Sequence, residues 1–237
     1  MSTLIFDIET VGEEFDAVDK TTQDALTRWI KKEAESPEDY AAALKELKDG
    51  LGFSPLTGQI VAIGVFDCEK DKGAVYFQAP GMQIPDSEED GIKFKQMTEK
   101  EMIEHFWKGA KTYQELVSFN GRGFDVPFLM IRSAINNIRP SYDLMANRYL
   151  NRNWSGLRHI DLFDQLSFYG ATRRKGSLHL YSRAFGIKSP KGDGITGDDV
   201  GPMFRQGKFK EIAQYNVGDL RATKELYDYW NKYLNFA

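Results

Sequence analysis

Leu4-Ile5-Phe6-Asp7-Ile8-Glu9-Thr10 is the stretch from which the fold is read. Side chains of an extended strand alternate between its two faces. Leu4, Phe6 and Ile8 therefore point one way, and Ile5, Asp7 and Glu9 the other. Two carboxylates project together from the end of a strand that is otherwise apolar. At 4 Å, two unit charges repel by roughly 4 kcal/mol at an effective dielectric near 20. A cation between them removes that cost. Strands also end in solvated acids, so Asp-x-Glu alone does not decide between the two readings.

The 237 residues suffice for one large α/β domain, and the expected organisation is a single domain over 1–237 with a helical insertion at 13–55. Hydrophobic content of 41% and charged content of 28% are those of a globular protein. A formal charge of −4 gives no global basic signature, so contact with a polyanion must come from a local patch. The one cysteine, Cys68, rules out an intrachain disulfide and a cysteine-rich zinc site. No apolar run has membrane-spanning length, and the N-terminus does not read as a secretory signal. The expectation is a cytoplasmic protein without a membrane partner.

Beyond Gly12 the spacing turns helical. Leu26, Trp29 and Ile30 form one stripe and Tyr40, Leu44 and Leu47 another, with Ser36-Pro37 opening the second helix. The mixed charges of 13–50 read as a solvated face packed over one edge of the domain. Ile60 to Phe66 reads as a strand buried on both faces, and Ala74 to Phe77 as its hairpin partner. Residues 80–98 read as loop. Thr98 and Glu101 form a capping box for a helix burying Met102, Ile103, Phe106 and Trp107.

Leu116 to Phe119 reads as a strand running into the tight loop Asn120-Gly121-Arg122-Gly123. A helix comes next, with Asp125 as its N-cap and Pro127 in its first turn. Capping explains Asp125 as well as a catalytic role does. His159 to Leu162 is a further strand, with Asp164 placed to cap the element after it. The concentrated basic cluster is Arg173-Arg174-Lys175, and residues 188–201 read as a polar loop. A long helix runs from about Lys208 to Leu234. On it Tyr215 and Asp219, four residues apart, share a face.

Asp7-Ile8-Glu9-Thr10, then Phe119-Asn120-Gly121-Arg122-Gly123-Phe124-Asp125, then Tyr215-x-x-x-Asp219 resemble, in order, the three motifs of the DEDD exonucleases. The tyrosine resembles that of the DEDDy branch. The wording of the middle motif, with Gly58-Gln59-Ile60-Val61, is similar to stand-alone relatives of the family-B DNA polymerase proofreading domain. The resemblance implies an α/β, ribonuclease-H-like mixed sheet flanked by helices. It also implies 3′–5′ hydrolysis of single-stranded or frayed nucleic acid, DNA favoured, releasing nucleoside monophosphates in repair or proofreading.

Carried over by position, Asp7, Glu9, Asp125 and Asp219 match the four acids that hold two Mg²⁺ or Mn²⁺ ions. Such hard cations take oxygen ligands and clamp the attacking and leaving oxygens of an in-line displacement. Tyr215 matches the residue that orients the water, and a phenol of ordinary pKa near 10 is a poor base at neutral pH. Thr10 and Asn120 are expected beside the substrate strand. Arg122, Arg173, Arg174 and Lys175 are candidate phosphate contacts, with Phe124 and Tyr169 as candidate stackers; solvated loop cations and core aromatics are the plainer alternative.

His159 stands five residues before Asp164, the spacing of the sister DEDDh branch, and offers a second assignment of the site. Two rival functions remain: a catalytically silent nucleic-acid-binding module on the same fold, and a structure-specific endonuclease.

Overall fold

The computed structural model describes residues 2–150, 156–188 and 196–236. Its described residues form a seven-stranded mixed sheet in the order β4-β5-β3-β2-β1-β6-β7. The strands are β1 (Thr3–Gly12), β2 (Gly58–Asp67), β3 (Lys72–Phe77), β4 (Ser87–Glu89), β5 (Ile92–Gln96), β6 (Glu115–Ser118) and β7 (Arg158–Asp161). β1 lies centrally, antiparallel to β2 and parallel to β6.

The alternation of β1 sorts its side chains between two cores. Leu4, Phe6 and Ile8 pack with Met102, Phe106, Val126 and Leu129. These come from α4 (Glu99–Ala110) and α5 (Asp125–Ile135). Ile5 packs on the opposite face with Val117, Leu220, Leu226 and Trp230. The last three belong to α9 (Phe209–Tyr233), a helix of 25 residues lying across β1, β2 and β3. Burying each such side chain is worth about 1.5–3 kcal/mol. The register of β1 is thereby fixed, because a slip of one residue exchanges its two faces.

Between β1 and β2 lie α1 (Lys20–Thr27), α2 (Ile30–Glu33) and α3 (Pro37–Gly50), then a 3₁₀ turn at Leu51–Phe53. Ser36 caps α3 by accepting the Asp39 N–H at 3.1 Å. The turn is fastened on two sides: Thr10 Oγ1 of β1 donates to the Gly52 carbonyl at 2.7 Å, and Thr57 Oγ1, just before β2, to that of Leu51 at 2.8 Å. The approach requires glycine, since a Cβ on Gly12 would stand 2.6 Å from Leu51 Cβ.

Three local expectations change. The loop expected over 80–98 contains β4 and β5, and β5 runs parallel to β3. Ile92 and Phe94 are buried while Lys93 and Lys95 are exposed, a period-two strand between turn-rich flanks. Asp161, not Asp164, caps α6 (Leu162–Leu166), accepting the Phe163 N–H at 2.9 Å. The loop expected over 188–201 gives way at Gly197 to α8 (Gly197–Arg205), while 189–195 lie outside the described residues. Between α6 and α8 stands α7 (Leu178–Phe185), capped by Ser177. No helix among the described residues is long and apolar enough to cross a membrane.

Candidate active site

β1 carries Asp7 and Glu9 on the face covered by α9, where the aliphatic Ile5 joins the core. A β-bulge between Glu9 and Thr10 interrupts the pairing with β2 immediately past the second acid. Such irregularities re-aim side chains at a strand's end. From α9, Asp219 completes a group of three: Asp7, Glu9 and Asp219 each offer an oxygen within 4.8 Å of the others.

Asp125 joins from the other motif by a different route. Beyond Ile5–Val117, the last β1–β6 pair, the Ile8 N–H donates to Asp125 Oδ1 at 3.0 Å. Asp125 is not the N-cap expected from its sequence. Phe124 occupies that position without a side-chain cap, and Asp125 is the first helical residue, its carboxylate spent on β1. The fourth acid thus lies against the segment between the first two, buried.

The electrostatics reflect that crowding. Burial, then the charges of Asp125, Asp219 and Glu9, push Asp7 well above the usual carboxylate range. Glu9 is raised by burial and Asp219, against a lowering contact from Asn216. Asp125 is pushed up to about 7, mainly by burial. No ion pair among the described residues involves Asp7, Glu9 or Asp125. Asp7, Glu9 and Asp125, desolvated and without an ion-pair partner among the described residues, offer donors that fit a hard divalent ion.

Tyr215 stands one turn before Asp219, half-buried and hydrogen-bonded to it. Burial first, then the charges of Asp219, Glu9 and Asp7, raise its phenol far above the ordinary value. The hydroxyl therefore keeps its proton and offers a directed donor and acceptor.

A residue that the motif reading passed over lies between them. Asn216 is fully buried, and its Nδ2 donates to Asp7 Oδ2 at 2.8 Å and to Glu9 Oε1 at 3.3 Å. Gly64 on β2, opposite Asp7, leaves it room, since a Cβ there would fall 1.8 Å from Asn216 Oδ1. The available sequence signal was the glycine inside an otherwise branched and apolar strand, which marks a close approach.

The second assignment, through His159 and Asp164, does not reach this cluster. His159 is buried between Ser118 Oγ at 2.8 Å and the Leu144 carbonyl at 2.9 Å. Burial, reinforced by Arg122, drives its pKa down to about 3. Asp164 takes both ends of the Arg148 guanidinium, at 2.8 and 2.5 Å.

The expected substrate contacts divide. Arg122 is turned inward, donating to the carbonyls of Met145 at 2.6 Å and Ala146 at 2.9 Å, so it presents no phosphate contact. Its backbone N–H and that of Asn120 both donate to Asp161, at 2.9 and 2.8 Å, which ties the loop after β6 to the end of β7. Thr10 likewise has its hydroxyl engaged by Gly52. Asn120 is exposed, with a left-handed φ of 60°. Arg173, Arg174 and Lys175 are exposed between α6 and α7. Their loop reaches Tyr181, which rests edge-on against Phe119, the neighbour of Asn120, at 5.7 Å. Tyr169 meets the Tyr149 ring in a tilted contact at 4.7 Å.

A cleft of about 1040 Å³ opens beside Glu9, with β1 along its floor and α3 and α8 at its sides. Phe53, 57% exposed, meets Phe124 edge to face at 6.4 Å on its lining. Of the four acids Glu9 lines it, and since acids and bases mix along its walls, the aromatic faces distinguish it more than any basic field.

Comparison with known proteins bears on the fold and the family. No curated protein matches the sequence. The fold is similar to that of the family B DNA polymerase from the hyperthermophilic archaeon Pyrobaculum calidifontis, with a TM-score of 0.59 at 18% identity. The likeness covers 98% of this chain, which spans 24% of the polymerase. A family described as a predicted 3′–5′ exonuclease related to the exonuclease domain of PolB matches residues 58–233. Asp7 and Glu9 precede that match. The chain belongs to the family of predicted 3′–5′ exonucleases related to the exonuclease domain of PolB.

Proposed function

We propose that the protein is a divalent-metal-dependent 3′–5′ exonuclease acting on single-stranded or frayed nucleic acid, DNA in preference, and that Asp7, Glu9, Asp125, Asp219 and Tyr215 carry the reaction. One observation supports this above the rest: Asp7, Glu9 and Asp219 offer oxygens within 4.8 Å of one another, with Asp125 bonded to the backbone between the first two. The second is that none of the described ion pairs neutralises Asp7, Glu9 or Asp125.

Bound Mg²⁺ or Mn²⁺, two ions in this reading, supplies Lewis acidity to water and neutralises phosphate charge. The chain does the rest. Asp7, Glu9 and Asp219 hold the metal site from two elements, and Asp125 closes it from a third. The Tyr215 hydroxyl, kept protonated, orients water for attack and takes no proton itself. The terminal nucleotide enters the cleft beside Glu9, where Phe53 and Phe124 offer aromatic faces, a contact worth about 1–3 kcal/mol per stacked base. The strand behind it passes Asn120 and the loop of Arg173, Arg174 and Lys175. A repair or proofreading role fits that chemistry.

A 5′-labelled oligonucleotide tests the reading. Stepwise shortening from the 3′ end in Mn²⁺, absent with chelator, is the expected result. Internal cuts point to an endonuclease, and binding without cleavage to a silent module; either overturns it.

A further inference from the structure

We infer that Asn216 is a positioning residue that holds Asp7 and Glu9 in the geometry that receives divalent ions, acting as one neutral donor shared between both acids. The inference rests on the proposed metal site and adds to it a residue outside the motif acids.

The two ends of the amide are in unlike situations. Its nitrogen has two N–H groups, and each carboxylate takes a contact from it, at 2.8 Å to Asp7 and 3.3 Å to Glu9. The other end, Oδ1, is buried and has no hydrogen-bond partner among the described residues. Leaving a buried acceptor unsatisfied costs about 1–3 kcal/mol. Turning the amide over would set that carbonyl against two carboxylates, which is worse. The acids therefore dictate the orientation, and the asparagine's own satisfaction is given up to it.

The fold reserves space for this arrangement. Gly64 pairs with Asp7 in the sheet, and a Cβ there would stand 1.8 Å from Asn216 Oδ1. Helix α9 places Asn216 directly after Tyr215 and three residues before Asp219, so one helical turn presents the phenol, the amide and the third acid together. An amide also suits the task better than a lysine or arginine. It restrains both carboxylates without cancelling the negative charge that attracts a metal. Asp7 Oδ2 and Glu9 Oε1 are engaged, and the second oxygen of each has no hydrogen bond among the described residues.

The test is Mn²⁺ binding by calorimetry on the full chain without nucleic acid, so it is read independently of cleavage. Asn216→Leu keeps the number and branching of the side-chain heavy atoms, in a bulkier form, and removes the donor; Asn216→Ala is the smaller companion. The expected result is binding weakened about tenfold, equivalent to about 1.4 kcal/mol. The cleavage assay should show the same rise in the Mn²⁺ needed for half-maximal rate, with kcat at saturating Mn²⁺ nearly retained. A folded variant that binds Mn²⁺ as the parent does, or more tightly, overturns the inference.

Should neither variant fold, the parent protein decides it. On titration with Mg²⁺, the side-chain amide resonances of Asn216 should shift in step with metal binding, and resonances that do not respond overturn it. Cleavage with unchanged metal affinity in the variants would defeat this inference alone. Weakened Mn²⁺ binding in a protein that cleaves nothing would defeat the nuclease reading alone.

Discussion

Asp125 Oδ1 accepts the backbone N–H of Ile8 at 3.0 Å across 117 positions of sequence. That bond fixes the first residue of α5 against the one residue that separates Asp7 from Glu9. Its consequence is positional: the middle motif cannot drift from the first strand without leaving a buried N–H unsatisfied, at about 1–3 kcal/mol.

Asp125→Asn separates that structural bond from the charge. The Asn Oδ1 can still accept from Ile8, so the folded protein should persist with a melting temperature equal to or above the parent's. Cleavage should fall by about 10²–10³ or more, comparable to the loss of a charge-stabilising group in other active sites. Asp7→Ala and Asp219→Asn should behave alike in cleavage. An unfolded Asp125→Asn protein would show that the carboxylate is structural.

Tyr215→Phe removes the hydroxyl and leaves the ring. A fall in kcat of about 100-fold is expected, on the order of the loss when a reacting group is misplaced by about 1 Å, with Mn²⁺ affinity unchanged. The comparison is His159→Ala. If that change slows kcat more than Tyr215→Phe while the protein remains folded, the site assignment is wrong.

The raised carboxylates set a pH window. Asp7, Glu9 and Asp125 bind protons more tightly in the folded chain than in the unfolded one, Asp125 with a pKa of about 7. The folded state therefore carries the extra protons, and their contribution to stability falls as pH rises from about 4 towards about 7. Without metal, the Asp125→Asn protein should gain in melting temperature relative to the parent between about pH 5 and about pH 8. Mn²⁺ binds the deprotonated acids, so the stabilisation it gives should grow over the same interval. Thermal melts at several pH values, with Mn²⁺ and with chelator, check both.

His159 acts in the opposite sense. Its pKa of about 3 lies below the unfolded value, so only the unfolded chain takes up that proton between about pH 6.5 and about pH 3. Its contribution is complete above about pH 6.5 and is lost on acidification by up to about 1.4 kcal/mol per pH unit. A His159→Gln variant, less stable at neutral pH through its lost contacts, should lose its disadvantage as the pH falls to about 4.

Much of this was legible because the decisive signals are local. The alternation of β1 sorted Asp7 and Glu9 from Leu4, Phe6 and Ile8, and the i, i+4 spacing put Tyr215 beside Asp219. What stayed hidden depends on partners far away in sequence. Capping chemistry accounted for Asp125 until Ile8 proved to be its partner. Arg122 looked like a loop cation, yet the carbonyls of Met145 and Ala146 claim it. Asn216 has no local pattern, since its role is written in a contact with Asp7 at 209 positions' separation. β5 was obscured because its alternation lasts only five residues between turns.

The most direct measurement is a crystal grown with Mn²⁺ and examined by anomalous scattering at the manganese edge. Signal is expected between Asp7, Glu9 and Asp219, with Asp125 at its margin and Asn216 still donating to Asp7. A manganese ion held elsewhere, or no signal at these acids under saturating Mn²⁺, would contradict the account.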